Sequence, residues 1–309
     1  MNFEAFILGT GGMMPLPGRN LTSVLLRREG DLFLFDCGEG TQISLKQLNL
    51  KWKKINSIFI SHMHADHVTG LPGMLMLSSQ VDREDPLTIY GPGNIKDYIE
   101  ANRRILDMYI NYEIKVEVVD SPGTILETDS YEVKAFNLFH TKPCFGYSFT
   151  EKARPGVFFP EKAAMLNIPR GPLWARLQSG KSIELEDGSE IQPTQVLGEQ
   201  RSGRKFSFVT DTLYSESIAE NVNNSDLLVC EGMFEEALAA SAKEKRHLTA
   251  KQAGHIAATA GGIRKMGLIH YSPRYMDREL NILLSEAKEV FKETVLCRDR
   301  DCFDISHVD

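Results

Sequence analysis

The chain has 309 residues, of which 42% are hydrophobic and 25% are charged, and its formal net charge is −7. This composition predicts a globular protein with a substantial core, and the acidic balance does not suggest a nucleic-acid-binding surface over the whole chain. No run reaches the roughly 18 apolar residues of a membrane span, and the N-terminus lacks the features of a signal peptide. We therefore expect a cytoplasmic protein without a membrane segment.

Strand-like apolar runs and helix-like periods alternate along the chain. Strands are predicted at 5–8, 21–26, 32–36, 55–60, 87–90, 112–119, 131–139, 145–149, 206–209, 227–229 and 266–269. Helices are predicted at 41–48, 71–79, 95–108, 250–260 and 277–291. Because the two kinds of element are interspersed rather than segregated, the pattern favours a layered α/β fold.

Residues 151–205 depart from this alternation, because they are rich in proline and glycine and only weakly periodic, and we interpret them as an insertion. Within residues 151–181, six basic side chains face two acidic ones, Glu151 and Glu161. The basic residues are Lys152, Arg154, Lys162, Arg170, Arg176 and Lys181. On composition alone, a solvated loop explains these charges as well as a binding surface does.

The cysteines bear on compartment and on metal binding. They are an odd number and include no C-x-x-C pair, which argues against a disulfide framework and against a zinc site built from cysteine. We expect free thiols at Cys37, Cys144, Cys230, Cys297 and Cys302.

The stretch "FISHMHADHVTG" follows a predicted strand and contains His62, His64, Asp66 and His67 in the spacing H-x-H-x-D-H. The first two histidines leave the strand on the same side, and a turn into the helix that follows Gly70 can bring the other two beside them. Imidazole and carboxylate are ligand types that zinc accepts, and a site that keeps a position for water is of the catalytic kind. The alternative, histidines that only line a turn, is disfavoured by the density of the pattern.

Other residues with acid–base or metal-ligand chemistry end predicted strands, namely His140, Asp211, Glu231 and His270. The carboxyl ends of strands in an α/β fold commonly line one active-site rim. Taken singly, each of these residues is more simply a satisfied strand-end residue, but together with H-x-H-x-D-H a shared metal site explains them better. By itself, His247 in "RHLTA" indicates only the start of a helix with a threonine cap.

The run H-x-H-x-D-H, followed by a distant His, Asp and His, resembles the metallo-β-lactamase superfamily. Further stretches resemble the short form of the ribonuclease Z family: "GTGGMMP", "RNLTS", "LFDCGEGTQ", "SHMHADHVTGLPGML", "IYGPGNIKDYIE", "HTKPCFGYSF", "IPRGPLWARL", "TDT", "CEGMFE", "HLTAKQAG" and "LIHYSPRY". The similarity extends from Gly9 to Tyr275. It implies a four-layer αββα metallo-β-lactamase sandwich, with one domain over residues 1–309 and an inserted exosite arm at 151–205.

Matched motif by motif, the resemblance implies two zinc ions in each subunit, at sites of a kind that also accepts manganese or iron. The implied ligands are His62, His64 and His140 for one ion, Asp66, His67 and His270 for the other, and Asp211 between them.

The resemblance also implies three catalytic residues. Asp66 would orient the attacking water, and Glu231 with His247 would place a proton donor near the leaving oxygen. Asp36 in "FDCGEG" would hydrogen-bond a ligand imidazole from outside the ligand set, although a turn-stabilising aspartate is the alternative.

The function implied is a zinc-dependent endoribonuclease that cleaves the 3′ trailer from precursor tRNA by two-metal phosphodiester hydrolysis, leaving a 3′-hydroxyl and a 5′-phosphate. The enzyme would act as a homodimer whose arm grips the tRNA, which reconciles an acidic chain with an RNA substrate. The arm residues assigned to substrate binding are Lys152, Arg154, Lys162, Arg170, Gly171, Pro172, Arg176 and Lys181.

Two other functions are compatible with the sequence. A phosphodiesterase that acts on a small-molecule phosphodiester could share this scaffold, because a fold does not fix the substrate. A non-catalytic RNA-binding protein is the other alternative, against which the complete set of motif residues argues. The chain departs from the family pattern at Met13, Met14, Leu213 and Tyr214, so the position of the cut relative to a CCA sequence stays open.

Overall fold

The computed structural model describes residues 2–307, in which strands and helices alternate along most of the chain. The strands are β1 Phe3–Gly9, β2 Ser23–Arg28, β3 Asp31–Phe35, β4 Ile55–Phe59, β5 Leu87–Gly91, β6 Ile114–Val118, β7 Gly123–Glu127, β8 Tyr131–Phe139, β9 Pro143–Glu151, β10 Ile183–Glu184, β11 Glu190–Ile191, β12 Lys205–Val209, β13 Leu227–Glu231, β14 Met266–Ile269, β15 Thr294–Leu296 and β16 Cys302–Asp304. The helices are α1 Thr41–Gln47, α2 Ala65–Val68, α3 Leu71–Gln80, α4 Ile95–Ile105, α5 Pro160–Met165, α6 Pro172–Gln178, α7 Glu216–Val222, α8 Ala239–Lys245, α9 Ala250–Ala260 and α10 Leu280–Val290.

Two seven-stranded sheets carry the architecture. Their strand orders are β16-β1-β2-β3-β4-β5-β6 and β15-β14-β13-β12-β9-β8-β7. In the first sheet β3, β4, β5 and β6 run parallel, and in the second β12, β13, β14 and β15 run parallel. Parallel strands place their carboxyl ends at one edge of a sheet, which is where polar side chains can converge.

Aromatic side chains from both sheets pack between them. The ring of Phe35 on β3 lies 5.2 Å from that of Phe206 on β12, and the ring of Phe59 on β4 lies 5.5 Å from that of Tyr147 on β9, centroid to centroid. All four rings are buried. Such tilted ring contacts add to the hydrophobic free energy of burial, so the two sheets are held face to face.

Helices cover the outer faces of both sheets. Ile58 of β4 shares a core with Leu71 of α3, and Leu268 of β14 shares another with Ile256 of α9. Two mixed sheets between two helical layers form the αββα sandwich, so the predicted fold class is confirmed.

Most predicted elements are present, and β8 and α9 have the predicted bounds. Asp66 and His67 were expected in a turn, but they lie in the four-residue helix α2, which is too short to produce a helical period. Residues 151–205 showed weak periodicity, yet they contain α5 and α6. These helices begin at Pro160 and Pro172, because proline is well tolerated at the first position of a helix.

The described chain divides into two compact units. The first unit comprises residues 2–127, 132–149 and 205–306, and the second unit comprises residues 128–131, 150–204 and 307. In the second unit, Arg204 Nε donates a hydrogen bond to Glu151 Oε2 at 2.7 Å, and both side chains are buried. Its apolar core consists of Ala163, Ile168, Leu177, Ile183, Ile191 and Val196.

None of the helices within residues 2–307 has the length and apolar character needed to cross a membrane.

Candidate metal centre

The seven residues predicted as metal ligands all belong to the first unit, and they follow the carboxyl ends of its strands. His62 and His64 come after β4, Asp66 and His67 lie in α2, His140 follows β8, Asp211 follows β12, and His270 follows β14. His64 is half-buried and the other six are buried. The order of strands in the two sheets therefore brings together residues that are up to about 200 positions apart.

His62, His64 and His140 direct ring nitrogens toward one point beside Asp211, an arrangement that we call the first cluster. His64 Nδ1 lies 2.9 Å from His62 Nε2 and 3.1 Å from His140 Nε2. Asp211 Oδ2 lies 3.5 Å from His62 Nε2 and 3.7 Å from His140 Nε2. Three nitrogens and one carboxylate oxygen thus surround a single position.

Asp66, His67 and His270 form a second cluster on the other oxygen of Asp211. His270 Nε2 lies 3.2 Å from His67 Nε2 and 3.3 Å from Asp66 Oδ2. Asp211 Oδ1 lies 3.4 Å from His67 Nε2 and 3.2 Å from His270 Nε2. Asp211 therefore faces the first cluster with Oδ2 and the second cluster with Oδ1.

The outward nitrogens of two rings are held by acceptors outside the clusters. His67 Nδ1 lies 2.6 Å from Asp36 Oδ2, and His140 Nδ1 lies 2.9 Å from the backbone oxygen of Arg246. These acceptors require a proton on Nδ1, so Nε2 of each ring presents its lone pair to the cluster. Asp36 is itself fixed, because it accepts hydrogen bonds from Ser61 N at 2.7 Å and Ser61 Oγ at 2.8 Å.

The inward-facing atoms suit a bound cation. The Nε2 lone pairs of His67 and His140 each approach a nitrogen of another imidazole, at 3.2 Å and 3.1 Å, and lone pairs so placed are best satisfied by a shared cation. Zinc–nitrogen bonds of 2.0–2.1 Å in a tetrahedral site separate neighbouring ligand atoms by roughly 3.3 Å. The clusters match this spacing and this ligand chemistry, so they form a candidate His/Asp metal site.

The two carboxylates of the clusters are stabilised as anions. Burial alone would raise the pKa of Asp211, but the neighbouring His270 and His67 outweigh burial and hold its pKa well below the usual range. For Asp66, burial is likewise outweighed by the charge of His67 and by a hydrogen bond to His270, so its pKa is also lowered. Anionic carboxylates at neutral pH are what a buried cation requires.

Glu231 and His247 form a separate carboxylate–imidazole pair next to the clusters. His247 Nδ1 lies 3.0 Å from Glu231 Oε2, and Glu231 Oε1 accepts a hydrogen bond from Thr212 N at 2.7 Å. Burial lowers the pKa of His247, but the charges of Glu231 and Asp211 outweigh burial and raise it to about 9. The pair therefore holds a charged imidazolium beside the candidate metal site. Thr249 caps the helix that follows, as the sequence predicts.

Several residues that support the site were not singled out from the sequence. A Cβ at Gly12 would lie 2.7 Å from His270 Cε1, so a residue without a side chain is needed where this loop passes the ring. Ser61, Thr212 and Arg246 hold site residues through hydrogen bonds. Gly12 lies in the "GTGG" stretch, which was noted only as a family motif, and no spacing rule connects any of these residues to its partner.

The residues that depart from the family pattern lie beside the clusters or on the surface. Met13 N donates a hydrogen bond to Asp66 Oδ2 at 2.7 Å, while its side chain is 59% exposed. Met14 is 53% exposed and Tyr214 is 38% exposed. Leu213 N donates to the backbone oxygen of Phe139, which precedes His140. These positions are accessible and do not contribute atoms to either cluster.

The predicted arm residues belong to the second unit and not to the unit that carries the clusters. Lys162, Arg170, Arg176 and Lys181 are exposed, whereas Lys152 and Arg154 are half-buried. The Arg170 guanidinium lies 5.4 Å from the centroid of the Trp174 ring. Gly171 has a φ of 136°, which favours glycine, and it leads into Pro172 at the start of α6.

Comparison with known proteins was made on the whole chain. A family model described as anti-Pycsar protein Apyc1 matches residues 3–151. Ribonuclease Z of Treponema denticola is 62% identical over 300 residues, which cover 97% of each chain. Ribonuclease Z of Treponema pallidum (strain Nichols) is 59% identical over 97% of this chain and 96% of that protein.

Solved structures give the same picture of the fold. Human tRNase Z, short form, has a TM-score of 0.70 at 26% identity, with 98% of this chain and 99% of that chain covered. The metallo-β-lactamase fold protein YhfI of Bacillus subtilis has a TM-score of 0.69 at 19% identity, with 98% and 100% covered.

Two mixed sheets between helical layers, with a His/Asp cluster at the strand ends, define a hydrolase of the metallo-β-lactamase fold. The identity to the two treponemal proteins, over nearly the full length of each, narrows this class. The chain belongs to the ribonuclease Z family. The resemblance stated from the sequence is confirmed, and the protein is an enzyme.

Proposed function

We propose that this enzyme removes the 3′ trailer from precursor tRNA, leaving a 3′-hydroxyl on the tRNA and a 5′-phosphate on the trailer. The observation that carries the proposal is the combination of two clusters sharing Asp211 with the Glu231–His247 pair, in a chain 62% identical to a ribonuclease Z. The name of the human neighbour, tRNase Z, supports tRNA as the class of RNA.

We propose two zinc ions per subunit, and the same donors would also accept manganese or iron. When bound, such a pair of ions lowers the pKa of water and stabilises negative charge on the attacked phosphate. The proposed ligands are His62, His64 and His140 for the first ion, Asp66, His67 and His270 for the second, and Asp211 for both.

Asp66 would orient the attacking water and accept its proton. The hydrogen bond from Met13 N to Asp66 Oδ2, at 2.7 Å, restricts rotation of the carboxylate. The lowered pKa of Asp66 keeps it in the anionic form that a base needs.

His247 would donate a proton to the leaving oxygen. The products proposed require the phosphorus–O3′ bond to break, so the oxygen that needs a proton is the 3′ oxygen of the tRNA. Glu231 engages His247 Nδ1 and leaves Nε2 as the donor toward the substrate. The raised pKa of His247 keeps the imidazole protonated at neutral pH.

We propose that residues 151–205 form an inserted arm that binds tRNA away from the cut, within a single metallo-β-lactamase domain. Exposed lysine and arginine side chains in this segment can contact phosphates without reading bases. The proposed contacts are Lys152, Arg154, Lys162, Arg170, Gly171, Pro172, Arg176 and Lys181. We further propose that the enzyme acts in the cytoplasm as a homodimer, in which the arm of one subunit presents tRNA to the other.

The proposal is tested by incubating the purified protein with a 3′-extended precursor tRNA, with and without a chelator, and mapping the end groups at the cut. We expect one cut on the 3′ side of the acceptor stem, inhibition by the chelator and recovery with zinc. A parallel reaction uses bis(p-nitrophenyl) phosphate. Hydrolysis of this compound with no cleavage of precursor tRNA would assign the enzyme to small phosphodiesters instead.

A further inference from the structure

Arg246 lies between helix α8 and His247. It caps the helix in the left-handed conformation, with φ 57° and ψ 51°, and its N–H is bonded to backbone oxygens in the last turn of α8. This reversal ends the helix, and the next residue is the imidazole that faces Glu231. Arg246 is exposed and contributes no atom to either cluster.

Arg246 holds His140 at two points. Its backbone oxygen lies 2.9 Å from His140 Nδ1, and its Nη1 donates a hydrogen bond to the backbone oxygen of His140 at 2.7 Å. The first contact fixes the tautomer of the ring. The second fixes the backbone that carries the ring, so the two contacts together set the direction of Nε2.

These contacts complete a ring of hydrogen bonds around the Glu231 carboxylate. Glu231 Oε2 engages His247, and Oε1 accepts from Thr212 N at 2.7 Å. Thr212 Oγ1 in turn accepts from Phe139 N at 2.9 Å, and Phe139 directly precedes His140. His140 and His247 are therefore linked in both directions, once through Thr212 and once through the arginine between α8 and His247.

We infer that Arg246 is a positioning residue of the metal centre: its guanidinium locks His140 and thereby sets the affinity of the first cluster for its metal ion. The inference rests on the proposed role of His140 as a metal ligand. Arg246 acts through His140, because its own side chain bonds the backbone of that residue and not the cluster.

The sign of the effect separates positioning from simple charge. A guanidinium near a cation site repels the cation, so removal of its charge alone would tighten metal binding. Loss of a group that orients a ligand imidazole weakens metal binding, by about 10- to 100-fold in metal sites generally. A weaker affinity in a variant without the guanidinium is thus opposite to the electrostatic expectation.

The experiment compares the full-length wild type with Arg246→Ala, Arg246→Lys and Lys243→Ala, each prepared metal-free and titrated with zinc against a chromophoric chelator. We expect Arg246→Ala to lower the affinity for one zinc equivalent by about tenfold or more and to leave the other nearly unchanged. The absorption spectrum of the cobalt(II)-loaded protein should change for the same equivalent. For precursor tRNA, kcat should fall while KM changes little.

Two variants serve as controls. Arg246→Lys keeps a cationic donor at similar reach, so it should recover part of the lost affinity. Lys243 is exposed on the same helix, and Lys243→Ala removes an equal charge, so it should not weaken zinc binding. The melting temperature of each metal-free protein shows whether the fold is retained.

Unchanged affinity for both zinc equivalents in Arg246→Ala would overturn the inference, and a rise in KM alone would identify Arg246 as a contact to a substrate phosphate. His140→Ala distinguishes this failure from failure of the proposed function. If His140→Ala loses zinc and Arg246→Ala does not, the inference alone is wrong. If His140→Ala keeps the full zinc content, the proposed ligand set is wrong and the inference fails with it.

Discussion

The metal centre in the first unit and the basic surface of the second unit are built in opposite ways. The clusters consist of buried side chains whose outward atoms are held by hydrogen bonds from other strand ends. The second unit has a small apolar core, and the basic side chains at its surface include Lys162, Arg170 and Arg176, which are exposed. One region fixes atoms to within fractions of an ångström, and the other distributes charge.

This difference determines how each region responds to substitution. A buried, hydrogen-bonded group has no substitute in its surroundings, so its removal leaves partners unsatisfied and a site misassembled. Exposed cations act through summed charge, so each contributes a part and the effect of removing several is graded. The predictions below run from the largest expected effect to the smallest.

Replacing Asp211 should have the largest effect. Asp211→Ala removes the two oxygens that face the two clusters, so binding of both metal ions should weaken and cleavage of precursor tRNA should fall below detection. Metal content by mass spectrometry of the native protein and a cleavage assay measure the two effects. Asp97→Ala, which removes an exposed carboxylate on α4, is the control and should change neither. Retention of both ions in Asp211→Ala would refute the bridging role.

Replacing His247 should uncouple catalysis from metal binding. His247→Ala removes the proposed proton donor, and loss of a positioned acid typically lowers a rate by about 10²- to 10⁴-fold. Because His247 is not among the proposed ligands, zinc stoichiometry should stay at the wild-type value. His255→Ala is a matched control, since His255 is exposed on α9 eight residues further along the chain. Loss of zinc from His247→Ala would place this imidazole in the ligand set instead.

The same contrast explains what could be read from the sequence. The clusters were predictable because ligand-type residues stand at the ends of recognisable strands, as His140 does after β8 and His270 after β14. Gly12 and Arg246 were not, because their importance depends on which residue the fold places against them. Strand order in a sheet decides such contacts, and no local pattern encodes it.

The second unit was harder to predict for a local reason. Its prolines were interpreted as interruptions, whereas Pro160 and Pro172 occupy the first positions of α5 and α6. Both helices are shorter than two full turns, so an apolar period cannot emerge. The excess of basic residues, in contrast, was visible from composition alone.

Neutralising the exposed cations of the second unit should raise KM for precursor tRNA without affecting the metal centre. We expect the combined Lys162→Gln, Arg170→Gln, Arg176→Gln and Lys181→Gln variant to raise KM by about tenfold or more at moderate salt. The salt dependence of KM should become shallower by about 0.7–0.9 log units per lost phosphate contact. Hydrolysis of bis(p-nitrophenyl) phosphate should be unchanged.

The control for this variant neutralises another group of exposed lysines. Lys51, Lys53 and Lys54 lie in the first unit, just before β4, and line a cavity of about 850 Å³ with Arg83 and Asp85. Their replacement by glutamine should leave KM for precursor tRNA close to the wild-type value. An equal rise in KM in both variants would show that net charge, and not the second unit, governs binding.

Loosening the core of the second unit should have the smallest effect on chemistry. Leu177 is fully buried in that core, so Leu177→Ala should destabilise the unit by about 2–5 kcal/mol. Hydrogen exchange should then accelerate in residues 150–204, with a modest rise in KM for precursor tRNA. Met165→Ala is the control, because Met165 is 82% exposed and its truncation leaves no cavity. Zinc affinity and turnover of bis(p-nitrophenyl) phosphate should stay at wild-type values in both variants, because every proposed ligand belongs to the first unit. A fall in zinc affinity in Leu177→Ala would mean that the second unit also supports the metal centre.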